Sequence, residues 1–239
     1  MPNPYFHFKQ FSILQDKCAM KVCTDACLFG AWLAAEISNT PLQRILDIGT
    51  GTGLLSLMLA QKNNARIDAV EKDTPAARQA AQNFEASAWK NRLHIFNEDI
   101  RAYQCNSPYQ LVISNPPFFE ADLKSSNQSK NDAKHDTALT LDALLSTANK
   151  VLAGDGVLAV LLPWQRSSFC IASASGTGLQ LSHHLQVRQT VQHGFFRSIL
   201  LFSKLMPVQV QIKEMSIKDG IGNYTPEFTS LLKDYYLYL

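Results

Sequence analysis

Asp47-Ile48-Gly49-Thr50-Gly51-Thr52-Gly53 is the stretch of this sequence that decides the fold. It ends an apolar run at residues 44–48 and precedes a helical pattern at residues 54–63, so it joins a strand to a helix. Glycines at alternate positions let the backbone turn tightly and approach a ligand without interference from Cβ atoms. The sequence therefore predicts a cofactor-binding loop at the carboxyl end of a strand.

The chain on both sides of this loop alternates short apolar runs with helical patterns, which predicts an α/β fold with a mostly parallel sheet. Strands are predicted at residues 44–48, 66–71, 93–97, 111–115 and 156–163. Helices are predicted at residues 54–63, 75–88 and 141–152, and Asp73 is a candidate cap for the second of them. Two β-rich runs at 179–191 and 198–205 surround Gly194 and leave no room for a crossover helix. They predict an antiparallel hairpin at the C-terminal end of the sheet.

The two ends of the chain add smaller elements to this core. Residues 5–16 alternate aromatic and polar side chains, which predicts one or two short strands. A helix follows with Asp25 as its cap, and it ends near residue 39. Residues 208–217 predict an extended stretch and residues 226–236 a terminal helix. We expect one domain over residues 1–239, in which 1–40 cover the cofactor, 41–206 form the catalytic core and 207–239 form a C-terminal extension.

Composition and charge exclude several classes of protein. The 239 residues are 46% apolar and 18% charged, and the net charge is +2. A protein that binds a long duplex surface usually has a marked basic excess, so any nucleic-acid contact here should be local. There is no secretory signal pattern and no apolar run of roughly 18 residues, so we expect a cytoplasmic protein without membrane contact. The five cysteines have no paired CxxC spacing, which indicates neither a disulfide framework nor a metal site.

Acidic residues at the ends of the predicted strands indicate which cofactor the glycine loop binds. The spacing is GxGxG rather than the GxGxxG of nicotinamide-binding loops, although a nicotinamide-dependent dehydrogenase remains an alternative. A carboxylate such as Asp47 complements a cationic, phosphate-free cofactor, and S-adenosylmethionine is positively charged at its sulfonium and amino group. Glu71 would accept bonds from both ribose hydroxyls, and Asp99 would accept from the adenine amino group. The predicted cofactor-binding residues are Asp47, Gly49, Gly51, Gly53, Glu71, Asp99 and, against the adenine ring, Ile100.

Asn115-Pro116-Pro117-Phe118 follows a predicted strand, at the edge where open α/β sheets bind ligands. The prolines make the turn rigid and leave the Asn115 amide oxygen and the Pro116 carbonyl as acceptors. An exocyclic amine offers two hydrogens to these acceptors, so its lone pair would point at an electrophilic methyl group while Phe118 stacks on a planar base. The motif predicts methyl transfer to a planar amine, and this chemistry requires no strong general base.

Several basic residues are candidates for contacts with RNA phosphates. The polar segment 119–136 contains Lys124, Lys130 and Lys134. It also contains His135, which we do not expect to act as a base. The candidates elsewhere in the chain are Lys9, Lys17, Arg188, Arg197 and Lys204. For each of these side chains, a solvated surface position is the alternative.

A resemblance to a known family rests on four N-terminal segments: Phe8-Lys9-Gln10-Phe11, Asp16-Lys17-Cys18-Ala19-Met20-Lys21-Val22, Thr24-Asp25 and Gly30-Ala31-Trp32. With the glycine loop and Asn115-Pro116-Pro117-Phe118-Phe119, they are similar to the bacterial family that N6-methylates adenosine 37 of a valine tRNA. The resemblance implies a Rossmann-like class I S-adenosylmethionine-dependent methyltransferase fold, and a valine tRNA anticodon loop as the partner. It also implies that the methionine end of the cofactor is closed over by Lys21, Thr24 and Asp25, with Asp47, Gly49, Glu71, Asp99 and Asn115 completing the pocket.

Other planar amines fit the same site chemistry and remain alternatives. They are guanine or adenine bases of ribosomal RNA and the glutamine of a translation release factor. Enzymes that modify that glutamine usually have Tyr at the position of Phe118 and a separate helical domain before the core. A protein that binds cofactor or RNA without methyl transfer is a further alternative.

Overall fold

Residues 3–116 and 139–239 are described in the computed structural model of this chain. Within them the strands are β1 (Tyr5–His7), β2 (Ser12–Leu14), β3 (Arg44–Ile48), β4 (Arg66–Val70), β5 (Leu93–Phe96), β6 (Tyr109–Ser114), β7 (Leu152–Pro163), β8 (Gln180–Thr190), β9 (Phe195–Ser203) and β10 (Gln211–Lys218). The α-helices are α1 (Thr24–Glu36), α2 (Leu54–Ala60), α3 (Thr74–Glu85), α4 (Leu141–Val151), α5 (Ser167–Gly176) and α6 (Pro226–Leu232). Each element predicted between residues 44 and 163 is present, within a few residues of its expected bounds.

One eight-stranded sheet contains the strands from β3 onward, in the order β10-β8-β9-β7-β6-β3-β4-β5, and β1 pairs with β2 in a separate antiparallel ribbon. The five strands from β3 to β7 are parallel, as their alternation with helices predicts. β9 is antiparallel to both β7 and β8, so the predicted hairpin is confirmed. β10 then pairs parallel to β8. Seven of the eight strands therefore end at the same edge of the sheet, and β9, which runs the opposite way, begins there. We call this the carboxyl edge.

Helices cover both faces of the sheet, and alternate strand residues enter two separate cores. Ile45 on β3 packs in the core with α1, α2, α3 and α6, whereas Leu46 and Ile48 pack in the core with α4 and α5. This alternation follows from the two-residue period of a strand. α1 is buried from Ala26 to Ala34. Gly30 permits its close approach to α2, because a Cβ there would lie 2.7 Å from the Met58 sulfur.

The expectation that Asp25 caps α1 is wrong. The cap position is Cys23, whose side chain makes no capping hydrogen bond, and Asp25 lies one residue inside the helix. Its carboxylate instead pairs with Arg197 on β9, with Oδ2 2.6 Å from Nε. Asp73 does cap α3, since its side chain accepts a hydrogen bond from the Ala76 amide. A cap is therefore decided by partners that lie far away in the sequence as well as by local preference.

Two further features of the C-terminal part differ from the sequence pattern. α5 is not predicted, because its small residues give no continuous apolar stripe; it buries only Ser167, Cys170 and Ala174. The extended stretch predicted at 208–217 is β10, but its position outside β8 depends on pairing that a single strand pattern does not reveal. No helix among residues 3–116 and 139–239 is long and apolar enough to cross a membrane. The division at residues 40 and 206 stays a prediction.

Candidate active site

The glycine loop joins β3 to α2 at the carboxyl edge, and its three glycines have positive φ angles. The values are 70° for Gly49, 57° for Gly51 and 83° for Gly53, a region that L side chains rarely adopt. Cβ atoms added at Gly49 and Gly51 would meet nothing within 4 Å, so the loop backbone there faces open space. At Gly53 an added Cβ would lie 2.5 Å from Phe84 Cε1. The first two glycines thus leave room for a ligand, and the third allows packing.

Asp47 lies beneath this loop with only 1% of its surface exposed. Its Oδ2 accepts hydrogen bonds from the Thr50 hydroxyl at 2.6 Å and the Ser56 hydroxyl at 2.7 Å. Its Oδ1 is buried and has no hydrogen-bond partner among the described residues. Burial, and secondarily the charge of Glu71, raise the pKa of the Asp47 carboxyl to about 6. A positively charged donor at Oδ1 would relieve this cost, which fits the amino group of S-adenosylmethionine.

Glu71 follows β4 and is fixed by two backbone amides. Its Oε2 accepts from the Gly51 amide and its Oε1 from the Asp73 amide, each at 2.9 Å. Each carboxylate oxygen has a second lone pair, so ribose hydroxyls can still donate to it. The hydrogen bond to Gly51 also ties the end of β4 to the glycine loop. The structure therefore brings together two of the predicted acidic residues, Asp47 and Glu71.

Asp99 lies beyond the end of β5, and two cations hold its carboxylate. Arg101 binds both oxygens at 2.9 and 2.6 Å, and the Lys72 ammonium lies 3.1 Å from Oδ2. The hydrogen bonds from Arg101 hold the pKa of Asp99 well below its usual range, so the group stays ionised. The neighbouring Ile100 is buried in the core with α4 and α5. An adenine amino group would have to share Asp99 with these cations, a competition that the sequence does not reveal.

Asn115 and Pro116 follow β6, next to the glycine loop. The Ser114 hydroxyl donates to the Ile48 carbonyl at 2.9 Å, which fixes the end of β6 against the end of β3. The Asn115 amide nitrogen donates to the Met20 sulfur at 3.6 Å, while its Oδ1 is buried with no partner among the described residues. An acceptor is thereby held in place at the site. Pro117 and Phe118 lie outside the described residues, as do Lys124, Lys130, Lys134 and His135.

The N-terminal segment between β2 and α1 covers this part of the carboxyl edge. Cys18 lies close enough to Glu71 and Asp73 for their charges, after burial, to raise the pKa of its thiol to about 11. Met20 contacts Asn115, so the segment crosses from the end of β4 to the end of β6. The half-buried Lys21 and Thr24 lie one and four residues after Met20, and their role at the methionine end of the cofactor stays a prediction.

Asp25 lies in the first turn of α1, directly after the covering segment of residues 15–23. Burial opposes its charge, but hydrogen bonds from the Cys23 thiol and Arg197 outweigh burial and lower its pKa. The carboxylate is therefore ionised beside the site.

Sequence reasoning missed the residues that support these acids and the amide. Thr50 and Ser56 could have been found, because hydroxyls in a glycine loop and in the following helical turn can reach a carboxylate three or nine residues away. Arg197 and Met20 depend on contacts across 172 and 95 residues of sequence, which no local pattern reveals.

The basic candidates within the described residues do not lie together in one place. Lys9 donates to the Lys233 carbonyl and Lys204 to the Leu152 carbonyl at the start of β7, so Lys204 lies opposite the carboxyl edge. Lys17 pairs with Asp16. Arg188 and Arg197 are at the carboxyl edge, near the end of β8 and the start of β9.

Comparison with known proteins identifies the family of this chain. Residues 29–168 match the model of the Methyltransferase small domain family. A tRNA1(Val) (adenine(37)-N6)-methyltransferase of Phocaeicola vulgatus is 39% identical over 237 residues, 99% of each chain. Proteins of the same name are 40% identical in Dyadobacter fermentans, over 98% of both chains, and 36% identical in Proteus mirabilis, over 98% of this chain and 94% of the other. This chain belongs to their family.

Solved structures agree on the fold. A Listeria monocytogenes protein assigned to the class I S-adenosylmethionine-dependent methyltransferases has a TM-score of 0.59 at 14% identity, covering 84% of this chain and 67% of the other. The CcbJ methyltransferase of Streptomyces caelestis has a TM-score of 0.56 at 11% identity, covering 79% and 95%. The protein has a class I methyltransferase fold and is an S-adenosylmethionine-dependent methyltransferase.

Proposed function

We propose that this methyltransferase transfers a methyl group to N6 of adenosine 37 in the anticodon loop of a valine tRNA, in the cytoplasm. The substrate rests on the names of relatives that match the chain over nearly its whole length. The observation that carries the chemistry is the Asn115 Oδ1, a buried acceptor without a partner among the described residues. Because this oxygen would suit any planar amine, the relatives decide between adenine, guanine and glutamine.

The acceptor end of the site positions the target amine. Asn115 Oδ1 and the Pro116 carbonyl would each accept one hydrogen of the adenine amino group, which directs its lone pair out of the base plane. Donation from the Asn115 amide nitrogen to Met20 keeps the oxygen facing the base. Both acceptors also stabilise the positive charge that develops on the attacking nitrogen. Pro117 and Phe118 would complete the turn, with the Phe118 ring stacked on the base.

Bound S-adenosylmethionine supplies an electrophilic methyl group on a sulfonium. Gly49, Gly51 and Gly53 would shape its backbone cradle, with Asp47 facing its amino group and Glu71 its ribose hydroxyls. Asp99 and Ile100 would hold the adenine of the cofactor. The covering residues at the methionine end are Lys21, Thr24 and Asp25. No residue of this set needs to act as a general base, since the alkylated nitrogen loses its proton readily to water.

Methyl transfer to synthetic tRNA tests the proposal. The protein is incubated with methyl-labelled S-adenosylmethionine and an unmodified valine tRNA transcript, and nucleosides are separated after digestion. We expect label in N6-methyladenosine, and none when guanosine replaces adenosine 37. Label in the guanosine variant, or in a release factor but not in the tRNA, would contradict the proposal.

The variant Asn115→Ala separates catalysis from cofactor binding in the same assay. It should abolish transfer while S-adenosylmethionine still binds in a calorimetric titration. A rate near that of the wild type would refute the role of this amide.

A further inference from the structure

The charges of this nearly neutral protein are unevenly distributed along the chain. From Gly156 to Lys213 there are five Lys or Arg residues and no Asp or Glu, so all twenty acidic residues lie outside this stretch. The stretch contains most of β7 and all of α5, β8 and β9. Acids from elsewhere in the chain pair with three of these five cations: Glu214 with Arg188, Asp25 with Arg197 and Glu36 with Lys213. In a chain whose net charge is only +2, the stretch is still the longest part of the sequence with cations and no acids of its own, which makes it a candidate for contact with anions.

The strand register places one arginine of this stretch, Arg197, near Asn115. Ser114 pairs with Val160 of β7, and Pro163 of β7 pairs with Arg197 of β9. Arg197 is therefore two strands across from Asn115 and about two residues further toward the carboxyl edge. With strands about 4.8 Å apart and a rise of about 3.3 Å per residue, the two Cα atoms are separated by about 12 Å. This separation suits the nucleotides on either side of a base held at Asn115.

Aromatic rings and an arginine are stacked at the same edge. The Trp164 ring, just after β7, lies 4.8 Å from the Phe195 ring and 5.5 Å from that of His184. The Arg188 guanidinium lies over the Phe195 ring, 4.1 Å from its centroid. Arg188 also pairs with Glu214 at 2.7 Å. Trp164, Arg188 and Phe195 are half-buried, so each also presents surface to solvent.

An open cleft of about 460 Å³ lies on the α1 side of the same edge, lined in part by the chain neighbours of Arg188 and Phe195. Arg197 crosses it to Asp25, and the Lys218 ammonium lies 5.5 Å from the centre of the Tyr224 ring. The lining also includes the exposed Gln189 and the half-buried Phe196. Cations interleaved with rings in an open groove are typical of surfaces that bind single-stranded RNA, where arginines contact phosphates and rings stack on bases.

We propose that the carboxyl edge at β8, β9 and β10 binds the RNA strand next to the methylated nucleotide, through a surface with Trp164, Arg188 and Phe195 on the side of α5 and Gln189, Arg197 and Lys218 at the cleft on the side of α1. Arg188 and Lys218 contact its phosphates, and a base beside the target stacks on the Trp164–Phe195 pair. Arg197, held by Asp25, lies between this surface and the covering segment. The assignment rests on the proposed RNA substrate, and it adds the residues that hold the strand.

Direct RNA binding tests this surface with matched variants. The probe is a fluorescein-labelled anticodon stem-loop RNA, and its affinity is measured by anisotropy from 50 to 200 mM salt. Gln189→Glu adds a negative charge to the surface, and Gln211→Glu adds the same charge in the same acid-free stretch at the start of β10. Both glutamines are exposed, so neither change should disturb folding. We expect Gln189→Glu to weaken binding about threefold and Gln211→Glu to leave it unchanged.

Two variants that each remove one cation form a second matched pair. Arg188→Gln and Lys213→Gln each remove one positive charge and one ion pair with a glutamate, Glu214 or Glu36. Arg188→Gln should weaken binding about tenfold and reduce the slope of log affinity against log salt by about one, whereas Lys213→Gln should match the wild type. The proposed surface would be overturned if Gln189→Glu and Gln211→Glu changed RNA affinity equally and Arg188→Gln and Lys213→Gln did so too. A wild type that does not bind the RNA would also overturn it.

Methyl transfer measured on the same proteins keeps the two proposals apart. A wild type that methylates the valine tRNA but shows equal effects within the pairs retains its function and loses this surface. A wild type that binds the stem-loop through Arg188 and Gln189 but does not methylate adenosine 37 retains the surface and loses the proposed function.

Discussion

Replacement of Asp47 by Asn should stabilise the protein in the absence of cofactor while weakening S-adenosylmethionine binding. The amide oxygen of Asn can occupy the Oδ2 position and keep both hydrogen bonds from Thr50 and Ser56. Its NH2 group then takes the position of Oδ1, which has no partner among the described residues. The substitution therefore removes a buried negative charge and little else.

The magnitude follows from the pKa of Asp47. Its rise from 3.8 to about 6 corresponds to about 3 kcal/mol, at roughly 1.36 kcal/mol for each pKa unit. A raised pKa means that the folded chain binds the proton more tightly than the unfolded chain does. Protonation of Asp47 therefore adds about 3 kcal/mol to the free energy of unfolding below pH 4, and this contribution is lost as the pH rises through 6. Asn is uncharged at every pH and so retains this contribution throughout. Its buried NH2 group has no partner, which costs about 1 kcal/mol. The expected net gain at pH 7.5 is about 2 kcal/mol, or about 4–8 °C in Tm for a chain of this size.

Thermal and urea unfolding at pH 7.5 and pH 4.5, without cofactor, measure this gain. Asp68→Asn is a matched control on the neighbouring strand, because Asp68 is equally buried but pairs with Arg44 and Arg66. Burial opposes the charge of Asp68, yet its hydrogen bonds from Arg44, Tyr109 and Arg66 lower its pKa. The control should lose about 3 kcal/mol at pH 7.5, since breaking a buried ion pair leaves its partners uncompensated. A destabilised Asp47→Asn, or a gain that persists at pH 4.5, would refute the reasoning.

Other predictions follow from the same site. Cofactor affinity in the wild type should fall below about pH 6, by up to about tenfold for each pH unit, as Asp47 takes up a proton; isothermal titration should show no such dependence in Asp47→Asn. Gly53→Ala combines a φ of 83° with a Cβ only 2.5 Å from Phe84 and should cost about 3 kcal/mol in urea unfolding. Gly178→Ala, with a φ of 86° but open space, should cost about 1 kcal/mol, and equal losses would show that Phe84 adjusts freely.

The elements of the core were predictable because their signals are local. The apolar runs of β3 to β7 and the positive-φ glycines at 49, 51 and 53 are specified within a few residues. The position of the candidate site then follows from the rule that open α/β sheets bind ligands at the carboxyl ends of their strands. The start of α3 also has a local signal. Asp73, a capping residue, is followed by Pro75 at the start of a helical pattern, and this is sufficient to predict where the helix begins.

The remaining features depend on contacts between distant parts of the chain. Asp25 was misassigned as a cap because its partner, Arg197, is 172 residues away. β10 joins the sheet outside β8 through pairing that depends on the folded hairpin. The orientation of Asn115 depends on Met20, which reaches it from the covering segment. In each case the residue type was visible in the sequence, but its partner was set by the fold.

Mass spectrometry of tRNA nucleosides from cells with and without this protein tests the central claim most directly. Loss of the protein should remove N6-methyladenosine from position 37 of the valine tRNA. The wild-type chain should restore it and Asn115→Ala should not, although both accumulate equally. Unchanged N6-methyladenosine at position 37 in cells that lack the protein, or full restoration by Asn115→Ala, would contradict the account.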